Sequence, residues 1–366
     1  MMEKAKISAY QLFTLIILFE IGTAAVFPVG AGAEQSSWLA ILIAMAGGFC
    51  LFFIHYGLYR YYPDLSPTEY MQILLGSILG KILAFCYVLY FVYIAANILR
   101  AFGVMLVTIA YPATPVFIIN ALFILVIIYT VYKGIEVISR TSEVLFVGMC
   151  LLLLSGFLLM IISGNIHLEN LKPVLEKGLS PVIKTVFRDT LYFPFGQIVA
   201  FAMILPYVKE REKVKRTGLW AMGMSGLLLA LFAAGDISVL GVDHTSRSQF
   251  PLLASIQSIE VAGFLERLDI YFILFVMIGG FLKLSIFFYV AVMGASHLFQ
   301  VKHPSHLAYP MGIVVLLGSM AVVSSYTEYI QEWRTVVSPY IEPSIQVILP
   351  ILLLIIAFFK NRKKAG

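Results

Sequence analysis

Long apolar blocks recur along this chain, separated by short polar breaks. A bilayer core about 30 Å thick needs roughly 20 apolar residues per helix. Blocks of that length predict ten spans: 8–33, 36–59, 82–110, 115–132, 143–163, 186–207, 217–240, 269–296, 308–325 and 342–359. No soluble domain fits between them. Two spans are interrupted where a helix should be strongest. Span 1 contains IGTAAVFPVGAG, Ile21 to Gly32, and span 6, which opens the second half, contains YFPFGQ, Tyr192 to Gln197.

Paired breaks at corresponding positions of two five-helix halves point to an inverted-repeat transporter architecture with its binding site at the breaks. An odd number of crossings inverts the second copy, giving repeats 8–163 and 186–359 with outer loops at 164–185 and 241–268. Depth separates Phe27-Pro28-Val29-Gly30 from Phe193-Pro194-Phe195-Gly196: Pro28 lies about 30 Å from Ser8, and Pro194 about 12 Å from Val186. Gly22, Thr23 and Ala24, about 21 to 24 Å in, are therefore the expected point of unwinding in span 1. A helix opened at mid-membrane leaves N–H and C=O groups unpaired, which is tolerable only beside protein or a polar cavity. The positive start of the outer half-helix favours a carboxylate and the freed carbonyls favour an ammonium; an amino acid carries both. The competing use of these glycines and prolines is kinking or close helix packing.

With 366 residues, 61% hydrophobic and 12% charged, and a mean hydropathy of +0.94, the chain is a polytopic membrane protein rather than a soluble domain or a single anchor. Lys4, Lys6 and Ala31-Gly32-Ala33 imitate a secretory signal. The apolar run from Ala9 to Gly32 is too long for one and contains Glu20. Basic residues are concentrated on one side of the spans, among them Lys6, Arg60, Lys81, Lys133, Arg140 and the 209–216 segment KEREKVKR. The positive-inside rule then predicts both termini in the cytoplasm. The net charge of +5 reflects that bias and contact with anionic membrane lipid, so no nucleic-acid partner is inferred. Cys50, Cys86 and Cys150 fall within spans and read as small apolar filler, neither a disulfide framework nor a metal site. His303 and His306 lack a convincing metal-ligand set, and no cofactor is expected.

Glu20, Arg100 and Lys283 are the ionisable residues deepest in the spans, where each costs a few kcal/mol and needs a partner or water. Lys283 is central in span 8 and Glu20 lies just before the first break. A Glu20–Lys283 ion pair is expected, with Arg100 as a competitor for the carboxylate. Lys283 is also a candidate coupling charge, standing where a sodium-coupled relative would hold its cation. Tyr93 and Asn97, four apart in span 3, share a face and are placed to close the pocket. Phe193 and Phe195 are placed to pack around a ligand's apolar part and Gln197 to hydrogen-bond it, against ordinary core packing. The outer stretch FPLLASIQSIEVAGFLERLD has the apolar spacing of a helix able to lie over the pocket as a lid.

Several words in order resemble the B subunit of bacterial spore germinant receptors, the spore permease family of the amino acid, polyamine and organocation superfamily. They are GIEVISR with SEVLF, FPFGQIVAFAMILPYV, FLERLDIYF and GGFLKLSIFF, and the likeness extends over essentially the whole chain. The resemblance implies a LeuT-like, all-α fold of two inverted five-helix repeats. It also implies a small nutrient germinant, commonly an amino acid, bound where helices 1 and 6 are unwound. It places the pocket on Gly22, Thr23, Ala24, Phe195, Gly196 and Gln197, with Tyr93, Asn97 and Ser285 as further candidates. Relatives often carry Glu where this chain has Gln197, which puts a proton-coupling carboxylate there in doubt. The family likeness further implies A and C partner subunits and the inner membrane of the spore. A proton-coupled amino acid transporter is the rival function. An intramembrane enzyme is disfavoured, because neither H-E-x-x-H nor G-x-S-x-G occurs.

Overall fold

The computed structural model describes residues 6–258, 268–322, 328 and 331–362. Residues 323–325 of predicted span 9, and Lys4 in the basic pattern, lie outside them. Among the described residues seven helices are long and apolar enough to cross a membrane. Five of these hold α2 (Ser37–Tyr61), α4 (Ser77–Ile109), α6 (Ile135–Ile162), α9 (Val214–Leu240) and α12 (Asp269–Phe299). The others are α13 (Ala308–Ala321) and the helix Trp333–Arg362, π-wound at first and ending in α14 (Leu349–Arg362). Two apolar helices are shorter, α1 (Ala9–Ala24) and α5 (Val116–Tyr132). The remaining predicted span, span 6, is an interrupted segment, Leu179 to Tyr207. Short α3 (Pro67–Leu75) runs between α2 and α4. Cys50, Cys86 and Cys150 are exposed on helix surfaces rather than packed inside.

α1 starts at a capping box, Ser8 accepting from the Gln11 N–H while the Gln11 side chain accepts from the Ser8 N–H. It stays helical through Ala24, so the break does not fall at Gly22, Thr23 and Ala24 as expected. It runs over residues 25–30, where Pro28 lacks a donor and Gly30 takes a left-handed φ of 78°. The Ala31–Ser36 segment that follows is a 3₁₀ turn, not an α-helix. Gly22 serves packing instead. A methyl there would stand 2.7 Å from the Gly279 carbonyl carbon and 2.8 Å from its oxygen, so the glycine pair lets α1 and α12 cross backbone to backbone.

Span 6 begins at α7 (Leu179–Thr185), inside the segment assigned to an outer loop. It continues as a π-turn, Val186–Thr190, breaks over 191–194 and resumes as a 3₁₀ turn, Phe195–Ile198, followed by α8 (Val199–Ala202). The two Phe-Pro words do lie together: the Phe27 and Phe193 ring centres are 6.3 Å apart. The chain leaves helical geometry after Ala24, so a helical rise of about 1.5 Å per residue overstates how far Pro28 stands from Ser8.

The broken helices are tied to each other at both ends. Beside the N-terminus, Ile7 donates to the Tyr207 carbonyl and Lys209 donates to the Ile7 carbonyl, each at 2.9 Å. At the far end Lys177 pairs with Glu34 at 2.6 Å, Gln35 donates to Glu176 at 2.6 Å and Leu175 N–H donates to Ser36 Oγ at 3.0 Å. The Glu34 bond holds the Lys177 ammonium above its ordinary range. A hairpin of α10 (Val242–Arg247) and α11 (Pro251–Gln257) follows α9. Thr245 and Ser255 hydroxyls anchor it to Asp236, and Phe250 lies 6.4 Å from Phe27. Residues 259–267 of the expected lid lie outside the described residues.

Candidate functional site

The two breaks open onto one cavity of about 140 Å³. Since roughly 10–15 Å³ holds one water, it has room for about ten water-sized groups. Its walls are the Val26–Gly32 turn, one face of α4, the π-turn with Phe193 and Gln197, the middle of α12, and Trp333, Arg334 and Val337. Of the residues singled out in the sequence, Thr23, Tyr93, Asn97, Phe193, Gln197 and Lys283 line it.

The others are placed behind these walls. Gly22 abuts Gly279, and Ala24 faces a separate void of about 30 Å³ behind the break. Phe195 is fully buried against Gly48 of α2, whose added methyl would meet the Phe195 Cβ at 2.8 Å. Gly196 makes room for Gln346, whose Cδ would lie 2.9 Å from a methyl there. Ser285 is buried on α12. Arg100 donates to the Met320 sulfur at 3.7 Å on α13 rather than to Glu20.

Tyr93 and Asn97 share the α4 face as their spacing implies. The Tyr93 hydroxyl donates to Glu332 at 3.1 Å and Asn97 Nδ2 donates to the Tyr93 carbonyl at 3.0 Å, which leaves Asn97 Oδ1 unpaired. Gln197 Oε1 and Asp189 Oδ1 are likewise buried and unpaired.

The expected Glu20–Lys283 ion pair does not form. Lys283 is fully buried, and its Nζ and both carboxylate oxygens of Glu20 have no hydrogen-bond partner. The ammonium instead lies 4.6 Å from the Phe193 ring centre and 4.9 Å from that of Phe19. Phe19 precedes Glu20 on α1, and the helical turn that offers its ring to α12 carries the carboxylate round to another side. Sequence reasoning also missed a second carboxylate. Glu342 was placed at the edge of span 10, yet the helix starts at Trp333, so Glu342 is fully buried and acts on Lys283 electrostatically together with Glu20. Asp189 was missed for the same reason, since the true start of helix 6 puts it at the cavity. An amphipathic run through TVVSPYIEPSIQ, continuous with the apolar block after it, was the available signal for Glu342.

Fold and site together define a transporter-type helix bundle with helices 1 and 6 broken around a central cavity. The structure is similar to that of MhsT in complex with L-phenylalanine, with a TM-score of 0.71 and 14% identity over 97% of this chain and 99% of that one. It is similar to Mhp1, a nucleobase-cation-symport-1 family transporter, in a closed conformation with bromovinylhydantoin bound, at a TM-score of 0.69 and 13% identity over 96% and 78% of the two chains. These likenesses show the LeuT-type fold of two inverted five-helix repeats. Residues 6–327 match the family of spore germination proteins, the spore permeases, and the chain belongs to that family. It is 48% identical to spore germination protein KB of Bacillus subtilis (strain 168), over 99% of this chain and 97% of that protein. The chain is an integral membrane subunit of the germinant receptor type.

Proposed function

We propose that this subunit senses a small nutrient germinant, an amino acid, held in the cavity between the broken helices. The observation that carries the proposal is the convergence of unpaired, buried polar atoms on that cavity: Asn97 Oδ1, Gln197 Oε1, Asp189 Oδ1 and Lys283 Nζ. Leaving such groups unpaired costs about 1–3 kcal/mol each, and more for charged ones. A ligand with both an anionic and a cationic end answers that mixture. MhsT, whose structure holds L-phenylalanine, supports the same class of ligand for this fold.

Because helices 1 and 6 are bonded to each other at both ends, a ligand between their breaks biases them as one unit. Binding one arrangement better than another shifts the population, and A and C partner subunits read the shift as a signal. Moving the equilibrium from 1:99 to 99:1 requires about 5.5 kcal/mol of differential affinity, part of it from the ligand and part from subunit assembly. The reading places the subunit in the inner membrane of the spore with both termini in the cytoplasm.

The test is dipicolinic acid release from source-organism spores lacking this gene and its close paralogues, presented with a panel of amino acids and sugars. Loss of response to an amino acid, restored by the intact gene and not by Gln197→Leu, is the expected result. Normal release to every nutrient refutes the sensor. The transporter fold favours proton-coupled amino acid uptake as the second reading, for which substrate accumulation in vesicles is the measurement.

A further inference from the structure

Two rings face the ammonium of Lys283, and they are mounted differently. Phe19 is fully buried on continuous α1, packed 5.1 Å from both Phe201 and Phe287. Phe193 is half-buried in the turn of the broken helix, beside Pro194. Its ring otherwise meets Phe27 at 6.3 Å and Trp333 at 6.4 Å, both edge-to-face. One ring is fixed in the core, and the other stands on a break and lines the cavity beside the ammonium.

A ring face compensates a desolvated ammonium only in part. A carboxylate forming a charge-assisted hydrogen bond at about 2.8 Å does so better. Glu20 and Glu342 supply field but no hydrogen bond. Arg334, another cation lining the cavity, is exposed and interacts electrostatically with Asp189. The helix start expected to attract a carboxylate after the first break is a six-residue 3₁₀ turn.

We infer that Lys283 is the side chain that recognises the ligand's carboxylate, and that this carboxylate displaces the Phe193 ring face from the ammonium. The inference rests on the amino acid reading above and deepens it. Displacing Phe193 also disturbs its contacts with Phe27 on the first break and Trp333 on the last helix, so occupancy is felt at three helices at once.

The test measures binding to the purified full-length protein in lipid nanodiscs. The probes are the standard amino acids, short carboxylates without an amino group, neutral sugars, and the carboxamide of every acid that binds. An acid is expected to bind about ten- to a hundredfold more tightly than its carboxamide. Lys283→Met should bring the acid down to the level of the amide, and Lys283→Arg should keep the preference. Phe193→Leu, which removes the competing ring face, should tighten the acid about three- to thirtyfold and leave the amide unchanged. Equal affinity of acid and carboxamide for the unmodified protein overturns the role of Lys283 and leaves the amino acid reading standing. Binding of neutral sugars alone, or of no probe, overturns both. The comparison on unmodified protein stands even where Lys283→Met fails to fold.

Discussion

Gly22→Ala separates two physical accounts of the same glycine by the sign of its effect. If Gly22 existed to unwind α1, alanine would strengthen the helix by about 1 kcal/mol. If it exists for the crossing with α12, alanine must push two backbones apart. The added methyl would meet the Gly279 carbonyl carbon at 2.7 Å where ordinary contact begins at 3.4 Å, and the Gly279 Cα is nearer still, so the helices must separate by at least about 0.7 Å. A gap of 0.5–1 Å forfeits about a quarter to a half of each dispersion contact along the seam. Overpacking typically costs about 1–3 kcal/mol, and a backbone neighbour that cannot rotate away puts this site at the upper end. The expected loss is about 3 kcal/mol, read as a drop of about 5 °C in the thermal midpoint of detergent-solubilised protein followed by tryptophan fluorescence. Gly279→Ala should behave alike, since a methyl there would lie 2.6 Å from the Gly22 carbonyl carbon. The double variant should cost less than the sum, because one separation accommodates both methyls. A midpoint for Gly22→Ala at or above that of the unmodified protein refutes the close-crossing account.

Gly196→Ala forces Gln346 aside and breaks its 2.7 Å bond to the Tyr90 hydroxyl. The expected loss of about 1–3 kcal/mol should be partly restored by adding Gln346→Ala, a rescue that the same melting assay detects. Ser255→Ala removes the 2.7 Å hydrogen bond that anchors α11 to the buried Asp236 carboxylate. Faster proteolytic cleavage in the 242–258 hairpin is expected, with a stability cost of about 1–3 kcal/mol; unchanged cleavage argues that the hairpin is held by its apolar contacts alone. Gln197→Leu should raise the germinant concentration for half-maximal dipicolinic acid release about tenfold or more while membrane levels of the protein stay normal. A normal dose response removes Gln197 from the site.

The paired interruptions show how far local sequence reaches. Phe-Pro-x-Gly marks both breaks because a missing donor and a glycine act on their own backbone wherever the segment lies. Locating the breaks required knowing where α1 stops being helical and where helix 6 begins, which is at Leu179, before its apolar block. The same misplacement hid Asp189, and starting the last helix too late hid Glu342. Tyr93 and Asn97 were legible as neighbours because i and i+4 share a face within one helix. The Lys283 environment was not, because its rings come from α1 and the helix 6 break, and the rotation of those segments about their axes decides whether it meets a phenyl face or a carboxylate.

Residue composition and the lengths of the apolar blocks were sufficient to determine a polytopic, all-helical membrane protein of ten spans with two broken helices. Transfer into a bilayer and intrahelical hydrogen bonding act segment by segment. The order of short words along the chain was sufficient to place it among the spore germination proteins. Tertiary structure alone decided that Gly22 is a crossing point and not a hinge, that Lys283 faces two rings instead of Glu20, and that the cavity gathers Asp189, Gln197 and Asn97. Those outcomes depend on how helices cross and rotate against one another, and no single segment encodes that relation.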